Sequence, residues 1–192
     1  QVSHEYLIEQ VQCKTIAMSN SIYLNFNHPV KELIWVVQSN KAFEEQPHGS
    51  TACNAVLNVG GTVQNGNDYF CYYANSANAP EVISTIKSYE GFGTCNLLLN
   101  GHERFTPRNA SYFRICQPIQ AGHRVPSKHI YCYSFALNPE THQPTGTCNF
   151  SRIDNAEMKF TKYPSNSRLS VYAVNYNVLR IMSGMGGLAY SN

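Results

Sequence analysis

Histidine and cysteine are the residue types in this chain that could supply metal ligands or a nucleophile. The 192 residues include seven of each. The histidines are His4, His28, His48, His102, His123, His129 and His142. A cupin-type metal site needs two histidines one residue apart on a strand, with a carboxylate and a further histidine projecting into the same barrel. No His-x-His pair occurs, and the adjacent His102 and Glu103 would point to opposite faces of a strand. The pattern predicts surface or hydrogen-bonded histidines and no metal site.

The cysteines also lack the spacing of a functional site. They are Cys13, Cys53, Cys71, Cys95, Cys116, Cys132 and Cys148. Zinc sites and disulfide frameworks use closer patterns than this odd, scattered set, which contains no Cys-x-x-Cys pair. None lies in a recognisable nucleophile context. We expect free thiols packed as small hydrophobic side chains, with no catalytic residue and no cofactor.

Two other short patterns have structural explanations. Gly184-Met185-Gly186-Gly187 lacks the spacing of a phosphate-binding loop, so a tight corner is the better interpretation. Arg152 and Asp154 are two residues apart on a predicted strand and would share one face. We expect them to form a partly buried structural ion pair rather than an active site.

The elements that would position these residues are mainly β-strands. Apolar and polar residues alternate over 22–27, 129–137 and 155–160, which is typical of antiparallel sandwich strands. Helical patterns are confined to two short pieces, 5–11 and 107–113. The chain is therefore predicted to be all-β, with short helices in loops.

Two segments depart from this alternation and predict contacts beyond one sheet face. Residues 33–37, centred on Trp35, are apolar on both parities, so this strand should be covered on both faces. In the last predicted strand, the apolar side chains stand at even positions from Tyr172 to Val178. They then move to odd positions at Leu179 and Ile181, while Arg180 takes an even position. A β-bulge or a switch of the buried face at an interface would explain that change.

Length and composition fit one domain over residues 1–192. The 43% hydrophobic content can form one core, and the 14% charged content without Lys/Arg clusters disfavours nucleic-acid binding. No apolar run is long enough to span a membrane. Residues from about 44 to 93 form a long polar segment, which predicts a surface insertion.

Two C-terminal segments, 138–155 and 172–192, closely resemble the C-terminus of the major capsid protein of nucleocytoplasmic large DNA viruses, the phycodnavirus, iridovirus and mimivirus-like group. Further blocks resemble the same family in the same order. These blocks are 3–10, 25–35, 99–105, 112–114 and 131–137. Only the stretch from about 43 to 93 resembles it weakly.

The resemblance implies an antiparallel β-sandwich of jelly-roll topology, the second roll of a double-jelly-roll capsid protein. Because the chain starts at Gln1 rather than Met, we expect a fragment, with the first roll and the opening strand of the second upstream. In this family the insertion at 44–93 and the loop at 138–147 face outward. Trp35 is the candidate contact with the first roll, and Leu179 and Ile181 are candidate contacts with a neighbour.

The resemblance also implies a structural role and a set of partners. The family's subunits form homotrimeric, pseudo-hexagonal capsomers that tile an icosahedral shell around an internal membrane. Neighbouring capsomers and minor capsid proteins would be the partners, and the virion, assembled in the host cytoplasm, would be the location. Two alternatives stay open: a stand-alone jelly-roll carbohydrate-binding module with an aromatic platform, and a cupin-like metalloenzyme.

Overall fold

Two antiparallel sheets face each other in the computed structural model, which describes residues 3–40, 72, 90–164 and 166–191. The strands are β1 (His4–Ala17), β2 (Ser21–Tyr23), β3 (Pro29–Ser39), β4 (Thr94–Leu99), β5 (His102–Glu103), β6 (Arg108–Asn109), β7 (Ile130–Ser134), β8 (Cys148–Asn149), β9 (Ala156–Phe160), β10 (Ser167–Met182) and β11 (Met185–Leu188). The helical pieces are a π-helical turn (Tyr112–Cys116), α1 (Gln117–Gln120) and a 3-10 turn (Phe150–Arg152). The predicted all-β class is confirmed.

The strand pairs are nested, which is the signature of a jelly roll. β1 pairs with β10, β2 with β9, β3 with β7 and β8, and β4 with β5 and β6. These successive pairs alternate between the two sheets, as they do when one long hairpin is wrapped around a core. Pairing of β10 with β3 and of β9 with β4 joins them into the sheet orders β1-β10-β3-β7 and β2-β9-β4-β5.

The N-terminal segment is a strand and not the predicted helix over 5–11. β1 pairs with β10 over fourteen residues, from His4 opposite Ile181 to Ala17 opposite Arg168. Cross-strand pairing of this length outweighs the local helix propensity of glutamate, leucine and glutamine. β1 also takes the first place in the nested pairs, so the expectation that the roll lacks its first strand is wrong.

The core lies between the sheets and is rich in aromatic residues. Trp35, Phe92, Phe113, Tyr131 and Phe160 are all fully buried. The predicted alternation is confirmed in β2 and the residues after it, where Ile22, Leu24 and Phe26 are buried. It is confirmed in β9 as well, where Ala156, Met158 and Phe160 are buried.

The second predicted helix also begins later than the sequence prediction. Within the predicted helix at 107–113, Arg108 and Asn109 instead pair with Cys95 and Thr94 of β4, and the helical turns begin at Tyr112. Most of the predicted insertion at 44–93 lies outside the described residues.

Candidate assembly surfaces

Trp35 belongs to the interior of the sandwich. Its ring centroid lies 5.2 Å from that of Phe113 and 6.1 Å from that of Tyr131, and the residue has no exposed surface. The prediction that β3 is buried on both faces holds, because Val36 on the other parity is also buried. The ring itself packs against Phe113 and Tyr131 in the core of the same chain and is not exposed for contact with another roll.

A β-bulge in β3 sets the outer face of this strand. Val174 of β10 lies opposite Glu32 and Asn175 lies opposite Val30, so Lys31 is an extra residue in the ladder. Val30 and Leu33 both reach the core with two residues between them instead of one. An inserted residue of this kind re-aims side chains, and here it brings Lys31 and Glu32 to the same, outer side of the sheet.

Both of these charged side chains contact other segments of the same chain on the outer face of β3. The Lys31 ammonium donates hydrogen bonds of 2.7 Å to a Glu9 carboxylate oxygen of β1 and 2.7 Å to the Pro139 carbonyl oxygen. The Glu32 carboxylate lies 2.8 Å from Nε2 of His123. Both charges are buried but paired, as the cost of desolvating a charge requires.

Leu179 and Ile181 lie where β10 leaves the sandwich. Pairing with β3 ends at Asn175, and beyond it β10 pairs only with β1 and β11. The β1 register runs through Val178 and Leu179 without interruption, so the predicted bulge lies instead in β3, at Lys31. The change in which positions of β10 are apolar, between Val178 and Leu179, therefore lies just beyond the part of β10 that pairs with β3. We call the three-stranded extension made of residues 4–10, 176–182 and 185–188 the terminal ribbon.

The terminal ribbon carries apolar side chains that this chain only partly covers. Tyr6 and Leu188 lie on either side of Leu179 in a row across the three strands, and Tyr6 and Leu188 are exposed. Leu179 and Ile181 are half-buried on this face. On the opposite face Met182 and Met185 form a cross-strand pair, and Met185 is 76% exposed. Concentrated apolar exposure of this kind is typical of interaction surfaces.

The end of the chain folds back from the ribbon onto the sandwich. The Asn177 side-chain amide donates a 2.9 Å hydrogen bond to the Tyr190 carbonyl oxygen, and the Tyr190 ring lies 6.4 Å from the His28 ring. Tyr190 therefore links the base of the ribbon, through this hydrogen bond, to the roll, through the ring contact with His28.

Arg152 and Asp154 are placed differently from the prediction. Arg152 ends the 3-10 turn and Asp154 lies in the connection to β9, so the two residues are not on one strand. Both are exposed, and no ion pair within 4.0 Å joins them. The reason is that the Asn149 side chain accepts a hydrogen bond from the Ser151 amide and so starts a helical turn there.

A charged cluster not singled out by the sequence fixes the chain at Glu90 and Gly91, just before β4. Glu90 accepts a hydrogen bond of 2.6 Å from Arg114 Nη2 and one of 2.9 Å from the Tyr131 hydroxyl, while the Gly91 amide donates to that same hydroxyl at 2.8 Å. Burial raises the pKa of Tyr131 well above its usual value, and the Glu90 charge adds to this rise. The hydroxyl therefore stays protonated and acts as a donor to Glu90.

Two findings on titratable residues bear on metal binding and on thiol reactivity in the part of the chain that the structure describes. No three of its histidine, cysteine, aspartate and glutamate side chains are grouped so that they could hold a metal ion. Burial raises the pKa of the Cys95 thiol well above its usual value and that of Cys132 to about 12, with the nearby Glu32 charge contributing at Cys132. Such thiols do not provide a thiolate nucleophile at neutral pH. Nor does any described helix have the length and apolar character needed to cross a membrane.

Comparison with known sequences gives one consistent relationship. Residues 1–187 match the sequence model of the large eukaryotic DNA virus major capsid protein. The chain is 38% identical to a major capsid protein of Phaeocystis pouchetii virus, over 98% of this chain and 49% of the relative. It is 41% identical to that of Pyramimonas orientalis virus, over 100% of this chain and 44% of the relative. The chain thus spans about half the length of the curated relatives it matches.

Solved structures agree with the sequence relationship. The PBCV-1 virus capsid contains a chain that is 34% identical, with a TM-score of 0.69 over 100% of this chain and 52% of that one. The Faustovirus major capsid protein superposes with a TM-score of 0.65 at 16% identity, over 94% of this chain and 34% of that one, which shows a shared fold.

Proposed function

The chain belongs to the family of large eukaryotic DNA virus major capsid proteins, and from this premise we propose that it is a structural unit of a viral capsid rather than a catalyst. The observation that carries the proposal is the nested strand pairing of a jelly roll in a chain whose sequence matches this family over residues 1–187. The two alternatives left open by the sequence, a carbohydrate-binding module and a cupin-like metalloenzyme, are disfavoured by this membership.

We further propose that residues 1–192 form the second roll of a double-jelly-roll subunit, with a surface insertion at about 44–93. The chain covers 44–52% of the two viral sequence relatives and of the PBCV-1 capsid chain, which supports a second unit of comparable size. The subunit would be found in the virion after assembly in the host cytoplasm. It would contact the shell's other proteins and not nucleic acid, since Lys and Arg do not cluster along the chain.

The proposed assembly is a homotrimer that forms a pseudo-hexagonal capsomer beside other capsomers, minor capsid proteins and an internal membrane. The terminal ribbon is the candidate contact surface, because its row of Tyr6, Leu179 and Leu188 continues the core face of one sheet beyond the end of its pairing with β3, and Tyr6 and Leu188 are exposed there. Burying such side chains against another copy would contribute roughly 25 cal/mol per Å² of apolar surface. Many weak contacts of this type add up in a closed shell.

The decisive measurement is the mass of the full-length protein in solution, by light scattering coupled to size-exclusion chromatography. We expect a trimer that persists on dilution into the micromolar range, about the concentration at which a standard-size interface still holds. A species that stays monomeric at all concentrations tested, while circular dichroism shows it folded, would contradict the proposal.

A further inference from the structure

His123 is held in place by the end of the short helix α1. Gly122 adopts a left-handed backbone with φ of 82°. The His123 amide donates to the Pro118 carbonyl at 2.8 Å, and the Gly122 amide donates to the Ile119 carbonyl at 3.2 Å. These two bonds are a Schellman cap, which needs glycine at the left-handed position. The cap delivers the imidazole of His123 to a fixed point beside β3.

Both ring nitrogens of His123 face a carboxylate. Nε2 lies 2.8 Å from Oε2 of Glu32, and Nδ1 lies 2.7 Å from Oε1 of Glu140. Glu32 is on β3 and Glu140 is in the loop of residues 135–147 between β7 and β8. A neutral imidazole has one N–H group, so one carboxylate would then face a nitrogen lone pair. The geometry therefore favours the imidazolium, which donates to both carboxylates.

The surrounding groups favour the same protonation state. Partial burial acts to lower the pKa of His123, but the hydrogen bonds and negative charges of Glu140 and Glu32 outweigh it, and the pKa is raised from 6.5. The Lys31 ammonium on β3 is itself paired with Glu9 of β1 and with the Pro139 carbonyl next to Glu140. From β7, the Cys132 thiol lies near Glu32 and stays protonated.

We propose that protonated His123 is a pH-dependent clamp that fastens the 135–147 loop to β3 through its two carboxylate partners. The clamp does not depend on the proposed capsid role, because all three residues lie in one chain. Lys31 holds the same loop through a second contact, the hydrogen bond to the Pro139 carbonyl. Two further bonds run from the Phe135 and Ala136 amides to the Lys31 carbonyl. Loss of the His123 proton therefore loosens one attachment of the loop rather than unfolding it.

The direction of the pH dependence follows from the raised pKa. A group that gains a proton more readily when folded stabilises the fold fully below its unfolded pKa, here the ordinary 6.5. That stabilisation is lost as the pH rises through the higher folded pKa. The loop is therefore fully clamped below pH 6.5 and is released as the pH rises through the folded pKa of His123, which lies above 6.5.

Hydrogen exchange of the full-length protein, followed by mass spectrometry, tests the clamp in peptides covering residues 135–147. After correction for the intrinsic pH dependence of exchange, we expect the wild-type loop to exchange about tenfold faster above the His123 titration than below it, the effect of losing one charge-assisted hydrogen bond. His123→Gln should exchange fast at every pH. His142→Gln is the matched control, because His142 is an exposed histidine in the same loop, and it should behave as wild type.

A second readout separates a clamp from a merely structural histidine. Histidine-selective NMR, with the His123 signal assigned by its loss in His123→Gln, gives the titration midpoint directly. We expect this midpoint above 6.5 in wild type and lower in Glu140→Gln, which removes one of the two charges. A midpoint at or below 6.5, or loop exchange that is identical in wild type and His123→Gln at every pH, would overturn the clamp.

Discussion

Lys31 and Glu32 are neighbours in sequence, yet both side chains leave β3 on its outer face, because Lys31 is the extra residue of a β-bulge opposite Val174 and Asn175. The bulge converts one position of a buried strand into an attachment point for β1 and for the 135–147 loop. A strand without it would send one of the two charges into the apolar core.

Replacement of Lys31 by methionine should lower the free energy of unfolding by about 2 kcal/mol, because the buried Pro139 carbonyl loses its donor and Glu9 its partner. Glu9→Gln should cost less, about 1 kcal/mol, because the glutamine amide oxygen can still accept a hydrogen bond from the Lys31 ammonium and the Pro139 carbonyl keeps its donor. Urea denaturation of both variants measures the difference. Equal costs would mean that the Pro139 contact contributes nothing.

The aromatic contact between Trp35 and Phe113 predicts a large core effect. Phe113→Ala removes a ring that lies 5.2 Å from Trp35 and leaves a cavity between the sheets, so we expect a loss of about 3–5 kcal/mol. Because the chain has one tryptophan, its fluorescence reports the unfolding of this core directly. The exposed Tyr23→Ala is the control and should change stability by less than about 0.5 kcal/mol.

The sequence predicts the parts of this fold that depend on local patterns. Alternation identified the strands around Ile22 and Met158, and apolar residues on both parities identified β3 as covered on both faces. The sequence could not place Tyr6 and Leu7 in a strand, because their local pattern favours a helix and the strand forms only through pairing with the distant β10. Trp35 was assigned to an interface because pattern alone does not say which of the two buried faces of β3 lines the core.

The charged sites were harder to predict because each joins residues far apart in the chain. Nothing local shows that Lys31 is an inserted residue, since a bulge is defined by register with another strand. A usable signal did exist for His123: Pro118 near the start of a helix and Gly122 just after its end mark both boundaries of α1 and fix the residue that follows. The Arg152 and Asp154 interpretation failed because it assumed a strand where Asn149 caps a turn.

The turn between β10 and β11 offers a test of the terminal ribbon alone. Ser183 and Gly184 both have positive φ, 52° and 79°, as a tight hairpin turn requires. An added Cβ at Gly184 would meet nothing within 4 Å, so Gly184→Ala isolates the backbone penalty, about 1–2 kcal/mol. Hydrogen exchange of the β10 end and β11 should accelerate while the sandwich is unchanged. Gly187→Ala, also in open space but without positive φ, is the matched control.

The apolar row of the ribbon predicts an assembly defect without a folding defect. Leu188→Lys places a charge beside Leu179 at an exposed position, so unfolding free energy should change by less than about 0.5 kcal/mol. If the row is buried against another copy, that charge should shift the full-length protein toward monomer in light scattering. Leu137→Lys, at an equally apolar and more exposed position in the 135–147 loop, should leave the mass unchanged. The same mass for both variants would remove the ribbon from the interface.

The ion pair between Glu90 and Arg114 predicts strong coupling, because both side chains are largely buried and Tyr131 shares the carboxylate. Glu90→Gln leaves the Arg114 charge without its counter-ion and should cost about 3 kcal/mol. Arg114→Met should cost a similar amount for the opposite reason. The double variant leaves neither charge behind, so its cost should be clearly smaller than the sum of the two. Additive costs in a double-mutant cycle of denaturation midpoints would show instead that solvent already screens the pair and that Tyr131 alone holds this segment.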